Sequence, residues 1–440
     1  MGLNELEGAA PEPAEVPADA RAWVEVDLSA LVANYGRIAR QLPRGCEAMA
    51  VLKADAYGHG AAMVVRALEC AGCASACVAT LQEAVELRDA GFSGSVLVLG
   101  WTPPELVCVA AHHGIALTAA DSEHARALAA FADLQGLEVN LHLAVDTGMH
   151  RLGTAWNDVG AVADSFGLRG ARVRGVFSHL AAADGSSERE RRVTAAQIRR
   201  FEQLVAELRR RGLSFCAHMA SSYGALRYSE ACFDAVRIGI ALYGVASDAG
   251  EPMPREIGLA PALSLRARVA SVRHVPPGEG VGYGLLGAAP TERSIAVVAI
   301  GYADGISRAI SGSAVVLIAG KRCPVVGRVC MDQLMVDATD VERVLPGDVA
   351  TLIGRDGKDE IRVEEVAKAA GTISNEVLSR LGRRLPRIVV CSSRIYAFVS
   401  LRSTTRIYQS IAILRKYAPY CFMGSCFIFS SISRFSSSVT

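Results

Sequence analysis

Short apolar runs alternate with segments of helical apolar spacing through the first half of the chain. Segments such as Leu81–Ala90, Asp121–Ala130 and Glu188–Arg211 have the helical spacing, and Asp121 is suited to the N-cap position. Eight apolar runs lie between or beside such segments: Ala48–Lys53, Ala74–Thr80, Ser95–Gly100, Gly114–Ala119, Glu138–Asp146, Arg172–His179, Ser214–Ser222 and Ala235–Tyr243. Eight successive βα units predict an α/β fold, a (β/α)8 TIM-type barrel.

The pattern changes after about residue 260 to Val-rich alternation with turn signals. Four strands are predicted there: Ala296–Ile300, Ala314–Ala319, Pro324–Val329 and Ala350–Ile353. The pairs Gly320-Lys321 and Asp356-Gly357 are typical of hairpin turns, while Val363–Ala370 and Ser374–Leu381 have the spacing of short helices. The second half therefore predicts a mainly β C-terminal domain.

These patterns divide the chain into four parts. We expect a disordered N-terminal extension over residues 1–22 and the barrel over residues 23–258, with Trp23–Val26 as a candidate to join the β-domain. The β-domain covers residues 259–393. Residues 394–440 are rich in Ser, Phe, Ile, Tyr and Cys and show neither a period nor a repeat, so they form an atypical tail to which we assign no role.

Composition adds constraints on the partners. The 440 residues are 51% hydrophobic and 21% charged, which is typical of a globular enzyme, and 46 basic against 45 acidic side chains leave a net charge of +1. Neither nucleic acid nor an anionic membrane is indicated, so a small-molecule function is expected. The first twenty residues lack the basic start and apolar stretch of a secretory signal, and we expect a cytoplasmic protein.

Twelve cysteines raise the question of a metal site. Cys70, Cys73 and Cys77 form a C-x2-C-x3-C cluster, a spacing that iron–sulfur and zinc sites also use. No fourth ligand lies nearby, and the cluster spans a predicted helix end and the start of a strand. We favour buried thiols and no metal.

Polar residues that could take part in catalysis or binding recur where the predicted barrel strands end. Lys53 follows the apolar run of the first strand, where partial burial would lower the pKa of its amine and favour Schiff-base chemistry. A solvated lysine is the simpler interpretation of that position alone. However, Arg151, His179, Ser222 and Arg237 also follow strands, and barrel enzymes keep their active sites at this rim.

Three polar insertions interrupt the predicted β-domain: Val281–Gly284, Gly301–Gly305 and Cys330–Gln333. Alone, they are typical of turns. Together with the segments around Lys53 and Asp146–Gly153, in this order from about Trp23 to Val390, the chain resembles the alanine racemase family. This resemblance implies a pyridoxal 5′-phosphate enzyme that acts on a small amino acid. It also implies a homodimer in which the β-domain of one subunit closes the barrel mouth of the other.

The resemblance also implies residue roles. Lys53 would carry the cofactor and move a proton on one face of the substrate, while Tyr283 of the partner subunit would serve the opposite face. Two bases are needed because a proton removed from one face must be returned to the other, and each positioned base contributes roughly 10² to 10⁴ in rate. Arg237 would face the pyridine nitrogen and keep it unprotonated.

The remaining roles concern the cofactor and the substrate. The resemblance assigns Arg151 to the phenolic oxygen of the cofactor and to the substrate, Met331 and Asp332 to the substrate carboxylate, and His179 to the orientation of Tyr283. Four positions match phosphate-binding residues of the family: Tyr57, Ser222, Gly239 and Ile240. His218 matches the family by its motif only.

Two positions depart from the family pattern. Ala144 stands where many members have a lysine that holds the neighbouring arginine, so Arg151 is expected either to be braced by an anion or a neighbouring side chain or to be more mobile. Arg383 stands where a tyrosine is usual, and with Ser221–Gly224 this brings the chain nearer to the serine/alanine racemases of vancomycin resistance. We expect racemisation of L-alanine to D-alanine, for the cell wall or a specialised pathway, with serine as a further substrate.

Three alternatives stay open. A non-catalytic pyridoxal phosphate-binding protein of the single-barrel type would have no use for Tyr283 and the segment Cys330–Gln333. A decarboxylase of the same barrel type would share the early lysine. A Schiff-base aldolase without a cofactor would lack an absorption band near about 420 nm.

Overall fold

The computed structural model describes residues 16–250, 253 and 257–390. The predicted tail over residues 394–440 lies outside the described residues, as do residues 1–15. Within the described part of the chain, no helix has the length and apolar character needed to cross a membrane.

The described chain begins with a strand and a helix that connect the two domains. Strand β1 spans Ala22–Asp27 and helix α1 spans Leu28–Ala39. The carboxylate of Asp27 accepts the N–H of Ala30 at 3.0 Å and thereby caps the helix. This cap fixes the point at which the chain leaves a sheet and enters the barrel.

Nine strands then form the first sheet: β2 (Glu47–Val51), β3 (Ser75–Val78), β4 (Ser95–Val98), β5 (Ile115–Ala119), β6 (Val139–Asp146), β7 (Thr154–Ala155), β8 (Ala171–Phe177), β9 (Cys216–His218) and β10 (Ala235–Ile238). Parallel pairing closes eight of them into a barrel through β2–β10 and β5–β6, while the two-residue β7 pairs only with β6. The predicted barrel and its eight strands are confirmed. The strands at Lys53, Thr80 and Tyr243 end earlier than predicted because the polar rim turns into loops and short helices.

A short turn, α2 (Lys53–Tyr57), lies at the barrel rim. Helices cover the barrel: α3 (Ala61–Cys70), α4 (Leu81–Asp89), α5 (Val107–His112), α6 (Ser122–Leu134), α7 (Val159–Asp164), α8 (Glu188–Arg210) and α9 (Ser222–Arg227). The three helices predicted from spacing are α4, α6 and α8, and all three are confirmed. Asp121 caps α6 by accepting the N–H of His124 at 2.7 Å, as predicted. Ser187 and Glu190 form a capping box that starts the long α8.

The second sheet contains β1 and eight further strands: β11 (Leu263–Val275), β12 (Arg293–Val298), β13 (Val315–Ile318), β14 (Lys321–Val326), β15 (Leu334–Asp337), β16 (Val349–Asp356), β17 (Asp359–Ile361) and β18 (Arg387–Val390). Antiparallel pairing closes six of them into a ring in the order β11, β12, β15, β14, β13 and β16. Helices α10 (Val363–Ala370) and α11 (Ser374–Ser379) follow. The predicted mainly β domain is confirmed.

Both predicted hairpins form, although each turn is shifted by one residue. Ile318 pairs with Lys321, so the first turn is Ala319-Gly320, with φ of 49° and 73°. Asp356 pairs with Asp359 in the second hairpin. Two central residues with positive φ are typical of the turn whose twist matches the flanking strands, which favours glycine in the second position.

The N-terminal segment differs from the expectation of disorder where the structure describes it. The carbonyl of Arg21 accepts the N–H of Arg268 at 2.8 Å, and the Trp23 ring is buried beneath the Arg268 guanidinium at 5.5 Å. Strand β1 lies between β11 and β18 in the second sheet. Ordered structure therefore begins before residue 23, because this segment gains both sheet hydrogen bonds and a buried aromatic side chain.

The cysteine cluster extends from the end of α3, at Cys70, to strand β3, which contains Cys77. Cys73 and Cys77 are buried, whereas Cys70 is exposed. Burial raises the pKa of the Cys77 thiol to about 12, so this thiol stays protonated. Among the described residues, no group of three or more His, Cys, Asp and Glu side chains is arranged to hold a metal ion.

Candidate active site

Two adjoining cavities open at the carboxyl ends of the barrel strands. The arginine cavity, about 320 Å³, extends past Asp146 and Arg151. The serine cavity, about 290 Å³, extends past Tyr57, Ser222 and Gly239. Five residues line both cavities: Lys53, Leu99, Met149, His179 and Arg237. The structure thus brings together the polar residues that the sequence placed on separate strand ends.

Lys53 is held at this rim by an unusual backbone. The residues Ala54–Tyr57 all have φ between 52° and 54°, which forms a turn of left-handed helix that costs L-residues about 1–2 kcal/mol each. Glu83 offsets part of this cost, because its carboxylate accepts the N–H of Ala54 at 2.7 Å and the N–H of Ala79 at 2.8 Å. A backbone this strained persists where the surrounding structure fixes it, as at functional sites.

The electrostatic surroundings of Lys53 favour a neutral amine. Burial lowers the pKa of Lys53, and the positive charge of Arg151 lowers it further, while Glu83 opposes both effects. An amine with a lowered pKa is more often unprotonated at neutral pH and can attack a carbonyl carbon.

Arg237 on β10 lies in the wall that both cavities share and holds several neighbouring groups by hydrogen bonds. Its guanidinium is buried and donates to the carbonyl oxygens of Ser178 at 2.8 Å and Met219 at 3.0 Å. It also lies 2.6 Å from Nδ1 of His218 and 3.0 Å from Nδ1 of His179. Burial lowers the pKa of Arg237 to about 10, so the side chain stays charged at neutral pH.

These contacts set the tautomers of the histidines. A guanidinium has only donors, so Nδ1 of His218 and of His179 must accept, and each ring then carries its proton on Nε2. His218 can therefore donate from Nε2 to Nδ1 of His142, 2.8 Å away. Burial, followed by the charges of Arg237, Arg151 and Lys53, lowers the pKa of His179 to about 3. His179 is thus neutral, with its Nε2–H left to serve a group in the cavity.

The serine cavity contains hydroxyl groups that can donate to an anion, and Asp184 also lines it. Oγ of Ser222 accepts the N–H groups of Gly239 at 3.0 Å and Ala241 at 3.2 Å, which leaves its own O–H available as a donor. A Cβ at Gly239 would lie 2.9 Å from the Tyr57 hydroxyl oxygen, so glycine is needed for this approach. Burial raises the pKa of Tyr57 to about 12, so its hydroxyl remains a donor. Ile240 lines the same wall.

The loop after β6 presents Arg151. Asp146 accepts the N–H groups of Gly148 at 2.8 Å and of Met149 and His150 at 3.1 Å, which fixes the loop. Burial opposes ionisation of Asp146, but the hydrogen bonds from His150 and Gly148 outweigh it and lower the pKa of this carboxyl. Within the described residues, the exposed guanidinium of Arg151 has no hydrogen bond or ion pair, so no side chain of these residues braces it.

The predicted residues of the β-domain do not line either cavity of their own chain. Tyr283 is 69% exposed at the tip of a tight loop, in which Leu286 accepts the N–H of Val281 at 2.9 Å. Met331 is 53% exposed, and Asp332 is held by Arg384 at 2.7 Å. Within the described chain, the predicted site residues therefore fall into two separate groups, one at the barrel rim and one in the β-domain.

Sequence reasoning missed several residues around this site. His142 was a polar residue within the predicted strand Glu138–Asp146, a signal that the sequence did offer. Asp304 lay inside a motif taken for a turn. Nothing in the sequence pointed to Asn375, which the fold brings from α11 to the serine cavity.

Comparison with known proteins assigns the family. Residues 26–247 match the model of the alanine racemase N-terminal domain, and residues 262–389 match that of the alanine racemase C-terminal domain. The chain belongs to the alanine racemase family. It is 41% identical over 372 residues to alanine racemase from Carboxydothermus hydrogenoformans, covering 84% of this chain and 99% of that protein.

Solved structures of family members have the same fold. Alanine racemase from Streptomyces lavendulae matches with a TM-score of 0.79 and 36% identity, over 86% of this chain and 98% of that one. Alanine racemase from Bartonella henselae, solved with covalently bound pyridoxal phosphate, matches with a TM-score of 0.74 and 30% identity, over 84% and 100%. As a member of this family, the protein is an amino-acid racemase.

Proposed function

We propose that this protein interconverts L- and D-alanine with pyridoxal 5′-phosphate as cofactor, using Lys53 and Tyr283 of the partner subunit as two opposed bases. The observation that carries the proposal is the position of Lys53, an amine with a lowered pKa on the wall shared by both cavities. A lysine there can form a Schiff base with an aldehyde in either cavity.

The residues present fit this cofactor. The serine cavity offers the hydroxyls of Tyr57 and Ser222 and the close approach at Gly239, which suit a phosphate group. Arg237 lies between the two cavities and would face the ring nitrogen. When bound, the cofactor supplies an electron sink for negative charge at the α-carbon of the substrate.

In the proposed reaction, side chains of this protein hold and transfer protons. The amine of Lys53 would take or return the α-proton on one face. Nε2–H of His179, left free by the acceptor role of its Nδ1, would donate to the phenol oxygen of Tyr283 of the partner subunit and favour its deprotonated form. Because Arg237 stays charged, it would not give a proton to the ring nitrogen, which limits the electron sink.

The exposure of the second half of the site supports a homodimer with shared active sites. Tyr283, Leu285 and Met331, which lie in or directly beside the predicted insertions of the β-domain, are between 53% and 72% exposed. Their placement away from the Lys53 cavities of the same chain agrees with use in a neighbouring subunit. A cytoplasmic location remains part of this proposal.

A direct test follows the circular dichroism of single L-amino acids during incubation with the protein. The purified protein should abolish the circular dichroism of L-alanine and show an absorption band near about 420 nm that borohydride removes. Lys53→Ala should lose both signals, whereas Tyr283→Phe should keep the band and lose most of the activity. Retained activity in both variants would refute the two-base assignment.

A mixing experiment tests the shared site. Inactive Lys53→Ala and Tyr283→Phe subunits are unfolded together and refolded, so that hybrid dimers form. Only a shared arrangement gives each hybrid one intact site, with an expected activity of roughly a quarter of the wild type for random pairing. A mixture that stays inactive would place both bases in one chain.

The same assays separate the alternatives. Carbon dioxide release without optical inversion would indicate a decarboxylase. A stable 420 nm band with no turnover of any amino acid would indicate a cofactor-binding protein without catalytic activity.

A further inference from the structure

Two thiols meet at the edge of the barrel opposite the cavities. Cys46 directly precedes β2, and Cys232 lies shortly before β10. Because β2 and β10 are parallel neighbours, their amino ends lie at one edge of the barrel, where the N–H of Glu47 donates to the carbonyl of Asp234 at 2.9 Å. The cavities open at the carboxyl ends of the strands. The thiol pair is therefore remote from the candidate active site.

The side chains of Cys46 and Cys232 are in direct contact through a hydrogen bond between their thiols. This bond, followed by burial, raises the pKa of Cys46, so Cys46 keeps its proton and donates it. The same bond stabilises negative charge on the partner sulfur and lowers the pKa of Cys232, although burial opposes this effect. When protonated, Cys232 donates to the carbonyl of Ala225 at 3.6 Å. Cys232 is thus the sulfur of the pair that ionises first.

A small reagent can reach this pair. Both cysteines are partly exposed, and the residues on either side of Cys46 are exposed. A Cβ at Gly45 would meet no atom within 4 Å, so the space beside Cys46 is open. Both cysteines also lie in connecting segments rather than in strands. Such segments can shift slightly, which is needed to bring two sulfur atoms to a bond length of about 2 Å.

The third cysteine at this edge, Cys216, is less suited to react. It begins β9, and burial raises its pKa to about 11, with a further contribution from the charge of Asp234. A thiol that stays protonated is a poor nucleophile. The reactive site at this edge is therefore the hydrogen-bonded pair.

We propose that Cys46 and Cys232 form a reversible disulfide by exchange with a small-molecule disulfide, and that this bond joins the first and last strands of the barrel. The thiolate of Cys232 attacks one sulfur of the reagent and displaces one thiolate, which leaves a mixed disulfide. Cys46 then loses its proton to solvent, attacks the sulfur of Cys232 and displaces the second thiolate. The two cysteines together lose two protons and two electrons, and the reagent is reduced to two thiols.

The bond acts on stability and not on the proposed reaction. It closes a loop that contains almost the whole barrel, so it restricts the unfolded chain strongly. The thermal midpoint should rise by about 3–10 °C on oxidation. Because the cavities lie at the opposite ends of the strands, racemase activity should change by less than about twofold.

Peptide mapping of the full-length protein tests the pair directly. The protein is incubated with glutathione disulfide, remaining thiols are blocked with iodoacetamide, and the tryptic peptides are analysed by mass spectrometry. Cleavage after Lys and Arg gives the peptides 45–53 and 228–237, each with a single cysteine. The expected product is these two peptides joined to each other, and dithiothreitol should separate them.

Serine variants connect the bond to the thermal effect. Cys46→Ser and Cys232→Ser should each abolish the joined peptides and the rise in thermal midpoint on oxidation. Cys216→Ser is the matched control, because it removes a thiol from the same edge and leaves the pair intact. This variant should keep both effects.

Three results would overturn the proposal. The first is the absence of the joined peptides in the wild type although the exposed Cys70 has formed a mixed disulfide with glutathione. The second is a link from Cys46 or Cys232 to Cys216 in place of the expected one. The third is a rise in thermal midpoint that persists in Cys232→Ser, which would assign the effect to other thiols. None of these measurements depends on racemase activity, so they test the thiol pair separately from the proposed function.

Discussion

The guanidinium of Arg21 lies 2.6 Å from Oδ1 of the fully buried Asp304 and joins the start of the chain to the β-domain. Arg21 also donates to the carbonyls of Ala299 at 2.6 Å and Asp332 at 3.3 Å. Asp304 in turn accepts the N–H of Gly301 at 3.0 Å. These bonds hold the loop that carries the proposed carboxylate-binding residues.

We predict that Arg21→Gln loosens this loop. The KM for alanine should rise several-fold with a smaller change in kcat, because the variant affects carboxylate binding rather than the proton transfers. Stability should fall by about 1–3 kcal/mol, since a buried carboxylate loses a charged donor. Steady-state kinetics and urea unfolding measure the two effects. Arg308→Gln, at an exposed arginine nearby, is the control and should change neither.

A second prediction concerns the close approach of β8 to His142. A Cβ at Gly175 would lie 2.3 Å from Nδ1 of His142. Gly175→Ala should therefore displace this ring and, through His218, disturb Arg237, with a loss of about 1–3 kcal/mol of stability and reduced activity. Thermal unfolding and racemase assays test this expectation.

Gly167→Ala is the matched control for Gly175→Ala. A Cβ at Gly167 meets no atom within 4 Å, and its φ lies outside the left-handed range. This variant should be neutral or slightly more stable, because alanine restricts the unfolded chain more than glycine does. Equal behaviour of the two variants would contradict the steric argument.

Buried histidines predict how stability depends on pH. Burial lowers the pKa of His59 and His142 to about 4, and that of His179 to about 3. Between about pH 6.5 and pH 4 the unfolded chain takes up protons that the folded chain does not, so stability is complete above this window and falls as pH decreases through it. Each group contributes up to about 1.4 kcal/mol per pH unit.

Urea unfolding at several pH values between 7 and 4.5 measures this slope. The variant His274→Gln, at an exposed position, should leave the slope unchanged. His142→Asn should make it shallower because one buried imidazole is removed. A flat profile in the wild type would contradict the prediction.

A fourth prediction addresses substrate choice. We propose that alanine is the main substrate and that serine is also accepted, because the resemblance to the family places a tyrosine where this chain has Arg383. Arg383→Tyr should lower the ratio of kcat/KM for serine to that for alanine. A wild type that shows strict preference for alanine would count against the broader specificity.

The sequence alone determined much of the architecture because apolar periodicity is local. The eight barrel strands, the capped helix α6 and the β-domain follow from spacing that a single segment carries. Hairpin turns were predicted to within one residue, since turn preferences depend on only a few backbone angles. The catalytic candidates at strand ends were found because parallel barrel strands present their carboxyl ends at one rim.

Only the tertiary structure decided which distant side chains meet. Arg21 bonds to Asp304 across 283 positions, and Asn375 joins a cavity made by the barrel. The left-handed turn after Lys53 was equally hidden, because its residues have no local preference for positive φ and are held there by Glu83. Such contacts depend on long-range packing, whose energy no short stretch of sequence expresses.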